Sequence, residues 1–266
     1  MTSRLFAVAE GPADAPVLVL GSSLGTTSQM WQPQVGALAR RFRVVRYDHL
    51  GHGASAVPAG DGAPCTIDDL GTELLRLLDD LGTRRVSYAG LSLGGMVGMW
   101  LAAYAPERVN RLALLCTSAR LGPERMWRER AATVRSAGTA AVAETVVSRW
   151  FTPAFAADRP SVVQRYRVML SATPAAGYAA CCEAIAAMDL RPELPRIQAP
   201  TLVVAGADDP ATPVEQAREI AGMIPGARLD VVPGAAHLAN VEQPERITRL
   251  LLAHLDPTNH PAVGEE

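Results

Sequence analysis

The chain has 266 residues, 48% of them apolar and 20% charged, with a formal net charge of −2 and a pI near 6.2. That composition suits a globular protein with a large core and argues against nucleic acid or an anionic membrane surface as a partner. No run of about 18 apolar residues offers a transmembrane helix, and residues 1–10 do not read as a signal peptide, so the expected compartment is the cytoplasm.

Six short apolar runs read as strands buried on both faces: residues 17–20, 42–47, 86–90, 109–116, 201–205 and 228–232. Helical patterns lie between them. Residues 67–81 carry Leu70, Leu74, Leu77, Leu78 and Leu81 at i, i+3, i+4 spacing. Residues 93–105 follow the third run, and 214–223 and 245–254 follow the last two. Alternating strand and helix predicts an α/β fold: a mostly parallel twisted sheet with right-handed crossovers and helices on both faces. Residues 121–188 break the alternation. They show only helical patterns, punctuated by Pro123, Gly138, Pro153, Pro160 and Pro174, and read as helices inserted between the fourth and fifth runs. The expected division is therefore a core of residues 1–120 and 189–256, a helical cap of 121–188, and a disordered tail of 257–266.

The four cysteines, Cys65, Cys116, Cys181 and Cys182, form no CxxC pair and no Cys/His cluster. They are expected to be free, buried thiols, with neither disulfide nor metal.

The strongest chemical signal is Gly90-Leu91-Ser92-Leu93-Gly94, a G-x-S-x-G sequence between an apolar strand and a helix start. In that setting the serine sits on a sharp turn that pushes its hydroxyl clear of the sheet. A serine hydroxyl is a weak nucleophile and needs a base. Of the five histidines, His237 falls on a loop beyond the last strand, where a side chain can reach a site at the strands' carboxyl ends. His254 falls inside a helix and reads as a surface residue; His260 is in the tail. His49 and His52 lie in Asp48-His49-Leu50-Gly51-His52-Gly53, which reads as turn architecture. A carboxylate must orient the base. Asp208 and Asp209, after the fifth run, are both candidates, since the order Ser…Asp…His suits a strand–turn–helix nucleophile. Oxyanion donors are expected from the backbone N–H of Leu93, which opens a helix, and from the loop after the first strand, at Leu24.

These segments together, GLSLGG (90–95), YDHLGHGAS (47–55), GADDPATP (206–213) and GAAHLANVEQPE (234–245), resemble the α/β-hydrolase superfamily from about residue 15 to 255. The resemblance implies Asp209 as the acid and a cap over the active site at 121–188. More narrowly, Gly21-Ser22-Ser23-Leu24-Gly25-Thr26, GLSLGGMVG (90–98) and the cap run TPAAGYAACCEAI (173–185) are similar to 3-oxoadipate enol-lactonases. That likeness implies opening of an enol-lactone ring with no cofactor or metal, in the β-ketoadipate branch of aromatic catabolism. Such a substrate is a small lactone carrying a carboxylate, so a cation is expected near the cap: Arg128, Arg130, Arg135 and Arg167 are candidates. Trp127, Arg128, Trp150 and Met169 are the expected substrate contacts. Two competing readings share the sequence. One is another esterase, lactonase or perhydrolase-like enzyme with the same triad. The other is a non-catalytic binding module, which would have no need for all three triad residues. A haloalkane dehalogenase would want Asp where Ser92 stands.

Overall fold

A computed structural model describes residues 4–57 and 65–256; the expected disordered tail lies outside them. Seven strands form one sheet in the order β1-β3-β2-β4-β5-β6-β7. The strands are β1 (Ala7–Glu10), β2 (Val17–Gly21), β3 (Arg43–Tyr47), β4 (Val86–Leu91), β5 (Val109–Leu115), β6 (Thr201–Gly206) and β7 (Arg228–Val232). Six run parallel. The seventh, β1, pairs antiparallel with β3 at one edge, opposing Ala7 to Tyr47. It is absent from the sequence expectation because it is four residues long and only partly buried, so no apolar run marks it.

The helices are α1 (Gln32–Leu38), α2 (Ile67–Asp80), α3 (Leu93–Tyr104), then α4 (Glu124–Ala137), α5 (Ala140–Val147), α6 (Pro153–Asp158), α7 (Pro160–Ser171) and α8 (Ala175–Ala187). After β6 come α9 (Val214–Met223), α10 (Ala239–Glu242) and α11 (Pro244–Leu255). Thr66 caps α2 with Asp69 in a reciprocal box. The leucine stripe of α2 is buried. The helix α3 is apolar all round and buried nearly all round, as befits a helix wedged against the middle of the sheet. Among the described residues, no single helix is long and apolar enough to cross a membrane.

Helices α4 to α8 lie between β5 and β6, where the sequence leads one to expect the insertion, and the punctuating residues mark their joints. Pro123 and Pro174 stand at the N-caps of α4 and α8. Pro153 and Pro160 open α6 and α7, where a missing N–H costs nothing. Gly138 ends α4 at φ +77°.

From β2 the chain steps out to β3, with β1 beyond it at the edge, then crosses to the other side of β2 and runs through β4 to β7. The carboxyl ends of β2 and β4 are therefore neighbours at the point where strand order reverses. That is where open α/β sheets leave a crevice for ligands.

One histidine is not where the sequence suggests. His254 is buried on α11 rather than exposed, and its Nε2–H donates to the carbonyls of Leu112 (2.9 Å) and Pro200 (3.2 Å). Burial pushes its pKa down to about 4. All four cysteines are free and buried.

Candidate active site

Ser92 stands between β4 and α3 with φ +56° and ψ −115°. A non-glycine residue rarely occupies that region, and the surroundings must over-determine it. They do so through the backbone: Ser92 N–H donates to Leu115 O (2.9 Å), and Ser92 O accepts from Met96 N–H (3.0 Å) and the Thr117 hydroxyl (2.7 Å). The flanking glycines are needed for space. A Cβ on Gly90 would lie 2.2 Å from Gly94 O, and one on Gly94 would lie 2.3 Å from the Gly21 backbone.

His237 follows β7 on a buried loop. Its Nδ1–H donates to Asp209 Oδ2 at 2.9 Å. Asp209 is fully enclosed: Oδ1 accepts from the N–H groups of Ala211 (2.7 Å) and Thr212 (3.0 Å), and Oδ2 also accepts the Thr212 hydroxyl (2.6 Å). Burial alone would raise the Asp209 carboxyl. The partnership with His237 and the Thr212 donors outweighs it and holds the pKa below the ordinary value. Asp208, its neighbour, is exposed, because successive residues of a turn point to different sides. With Nδ1 engaged, Nε2 is the nitrogen left to face the cavity that Ser92 and His237 line together.

The loop after β2 brings a second set of donors. Ser23 and Leu24 line the same cavity. Gly94 N–H is taken by Ser22 O (2.9 Å), Ser23 N–H by Met30 Sδ (3.1 Å) and Gly25 N–H by His52 Nε2 (3.0 Å). Among the described residues, the Leu24 N–H donates to no protein acceptor. The Leu93 N–H belongs to the first turn of α3, where no intrahelical acceptor exists.

The two loop histidines hold this arrangement in opposite tautomers. His52 accepts at Nε2 and donates from Nδ1 to Leu50 O (3.1 Å). His49 donates from Nε2 to Ser22 O (2.8 Å). Both are buried, and burial lowers both pKa values, that of His49 to about 3. The turn reading of this segment stands, with one addition: the turn grips the backbone on either side of Leu24.

The cavity has a volume of about 250 Å³. Trp127 and Trp150, two of the expected substrate contacts, line it. Arg128 does not. It sits on the outer face of α4, its side chain 63% exposed and paired with Glu124 at 2.6 Å. Helical periodicity explains the correction: Trp127 faces inward, and the next residue is turned about 100° away. Met169 is also elsewhere, packed with its Sδ 3.4 Å from Thr27 N in a different groove. Of the other arginines considered, Arg135 pairs with Glu183 and Arg167 with Glu144; Arg130 lines the cavity.

Comparison with known proteins gives the family. Residues 16–244 match the model of the α/β-hydrolase fold family. The chain belongs to the α/β-hydrolase family. It is 43% identical to 3-oxoadipate enol-lactonase 2 of Acinetobacter baylyi over 88% of this chain and 86% of that one. The crystal structure of the enol-lactonase from Burkholderia xenovorans LB400 superposes with a TM-score of 0.90 at 42% identity, covering 93% of this chain and 95% of that one. A hydrolase from Pseudomonas aeruginosa PA01 gives 0.89 at 47% identity, covering 94% and 93%. These relationships make the chain a hydrolase.

Two site features of this α/β hydrolase escape its sequence. Glu242 of α10, buried, takes the Ala236 N–H on Oε2 (2.8 Å) and the Thr152 N–H on Oε1 (3.0 Å), with the Thr152 hydroxyl also on Oε1. Leu238 N–H donates to Trp150 O (2.9 Å). The residues on both sides of His237 are thus tied to the insertion. No spacing rule predicts either link, because each joins parts of the chain about 90 residues apart.

Proposed function

We propose that this chain is a serine hydrolase that opens the ring of 3-oxoadipate enol-lactone, with Ser92 as nucleophile, His237 as general base and acid, and Asp209 as the residue that orients His237. The observation that carries the triad is the Nδ1–Oδ2 contact of 2.9 Å between His237 and a fully hydrogen-bonded, ionised Asp209, beside a strained Ser92 on the same cavity. The observation that favours the substrate is identity above 40% to enol-lactonases over most of both chains.

In this reading His237 Nε2 takes the Ser92 proton as Oγ attacks the lactone carbonyl. The carbonyl oxygen, now negative, is met by the N–H groups of Leu24 and Leu93; one such donor accounts for roughly 10²–10³ in rate. The tetrahedral intermediate collapses with cleavage of the ring C–O bond. The departing oxygen is an enol oxygen, which takes the proton held by His237 and tautomerises to the ketone. His237 then removes a proton from water, which attacks the Ser92 ester. Collapse returns the proton to Oγ and releases a carboxylic acid, which gives its remaining proton to solvent and becomes the product's second carboxylate. Each charge that appears is met by a protein group: the His237 imidazolium by Asp209, the oxyanion by two amides.

The test is loss of the enol-lactone's ultraviolet absorbance, run beside an aryl ester, with Ser92→Ala as control. Fast lactone loss that the variant abolishes supports the reading. Ester cleavage without lactone opening would remove the lactone and keep the hydrolase.

A further inference from the structure

Among the described residues, the side chains of Ser23, Ser92 and Tyr178 bring hydroxyl groups to the lining of the cavity. Ser92 is the proposed nucleophile. The Tyr178 hydroxyl is fully enclosed and has no partner. That leaves Ser23, whose side chain has no part in the mechanism as described so far.

The backbone polar groups of Ser23 are all committed within its own loop. Its N–H donates to Met30 Sδ (3.1 Å), and its carbonyl accepts from the Thr26 N–H (3.1 Å) and the Thr26 hydroxyl (2.7 Å). The Ser23 hydroxyl makes no hydrogen bond among the described residues, although the residue is only 1% exposed. Nor is it sealed in, as the hydroxyl of its neighbour Ser22 is. It is therefore the polar group that Ser23 turns to the cavity. Nearly buried polar groups are paired in working proteins, and what enters this cavity in turnover is the substrate.

Covalent geometry decides which substrate atom it meets. Ser23 Oγ and the Leu24 amide nitrogen are four bonds apart, so at most about 5 Å separates them in any rotamer. One oxygen can then accept from both at ordinary hydrogen-bond lengths. The Leu24 N–H is the amide that meets the carbonyl oxygen in the proposed mechanism. Both donors are also held in place: the Ser23–Thr26 turn is closed by the bonds above, and the next amide, Gly25 N–H, is fixed on His52 Nε2 (3.0 Å). Donors oriented before the charge develops need no reorganisation when it does.

We propose that the Ser23 hydroxyl is a third oxyanion donor, joining the amides of Leu24 and Leu93 on the carbonyl oxygen as it becomes negative. It donates a hydrogen bond and keeps its proton, so His237 remains the base. The inference rests on the reading of Ser92 as nucleophile, and not on which ester or lactone is cut. The oxygen it serves stays on the acyl carbon, so its contribution is indifferent to the leaving group.

The test removes the hydroxyl alone. Ser23→Ala should lower kcat and kcat/KM together by about 100-fold on 4-nitrophenyl butyrate, with KM and the thermal midpoint unchanged. Ser23→Gly lacks the same hydroxyl and should match it. Phenyl butyrate, with a poorer leaving group, should lose the same factor in kcat/KM. Inhibition separates a catalytic from a structural role. The Ki of 1,1,1-trifluorooctan-2-one, which forms a tetrahedral adduct on Ser92, should rise by about the factor that kcat/KM falls. The Ki of octan-2-one, which stays planar, should move less than about twofold. A loss under about tenfold, a larger loss with the phenyl ester, or equal weakening of both ketones would overturn the inference. Any of these with an inactive Ser92→Ala variant removes the third donor and keeps the nucleophile. Hydrolysis that survives in Ser92→Ala removes both.

Discussion

Replacing Asp209 by Asn isolates the role of the carboxylate, because the structure dictates how the amide must sit. Oδ1 accepts two backbone N–H groups, from Ala211 and Thr212. An amide NH₂ placed there would meet two donors, so the Asn oxygen must take that side. The NH₂ then occupies the Oδ2 position and points at His237 Nδ1, 2.9 Å away. It can only donate, so Nδ1 must become the acceptor and the ring proton moves to Nε2. The imidazole then has no lone pair to offer Ser92. A neutral amide also fails to balance imidazolium. For a serine–histidine site with the wrong tautomer the loss in kcat is about 10⁴-fold, equivalent to about 5.5 kcal/mol in the barrier. The assay is hydrolysis of an aryl ester at pH 8, with circular dichroism to show that the variant is folded. Asp208→Asn is the internal control: its side chain is exposed, and the rate should stay within about twofold. An Asp209→Asn rate within tenfold of wild type, or a larger loss at Asp208, would refute the tautomer argument.

Two further outcomes follow from buried groups. His49 and His254 have folded pKa values near 3 and 4, against an ordinary 6.5, because burial disfavours their charged forms, and His52 is shifted in the same direction. Groups with lowered values contribute stability that is fully present above pH 6.5 and is lost as pH falls toward the folded values. With the slope rising toward about 1.4 kcal/mol per pH unit per histidine as the unfolded state protonates, denaturant titrations should show a loss on the order of 3 kcal/mol between pH 6.5 and 5 from His49 and His254 together; a flat profile across that range would contradict the buried neutral assignments. Glu242→Gln replaces one accepting oxygen by an NH₂ that must face a backbone donor, either Ala236 or Thr152. It should cost about 1–3 kcal/mol of stability and lower kcat by loosening the loop that carries His237, and unchanged values in both measurements would show that the link between that loop and the insertion is idle.

The parallel part of the sheet is legible in the sequence because strands covered on both faces must be continuously apolar, and each such run marks one. The edge strand β1 is covered by no such rule. At AVAE it has only four residues, partly exposed, and its existence depends on pairing with β3. The elbow at Ser92 is legible for the opposite reason: a strained serine with glycines two residues away on each side is a local requirement, so it leaves a local signature. The acid is harder. Asp208 and Asp209 differ only in which way a turn points them, and the bare pattern leaves both open. Hardest of all is the cavity wall. Arg128 and Arg130 are two positions apart on one amphipathic helix, and both lie beside charged neighbours. Only the direction of α4 against α8 and the sheet decides that Trp127 and Arg130 face inward while Arg128 meets Glu124 in solvent. His254 illustrates the same limit. Its ring is drawn inside by two carbonyls, those of Leu112 and Pro200, which are far from it in sequence.

The central claim is that Ser92 is a nucleophile activated by His237. Its most direct test is covalent trapping with a fluorophosphonate, followed by intact mass and peptide mapping. The account predicts one phosphonyl group per chain on the peptide containing Ser92, no labelling in Ser92→Ala, and labelling slowed by at least about a hundredfold in His237→Ala. A label on any other residue, or a labelling rate that does not change when His237 is removed, would contradict it.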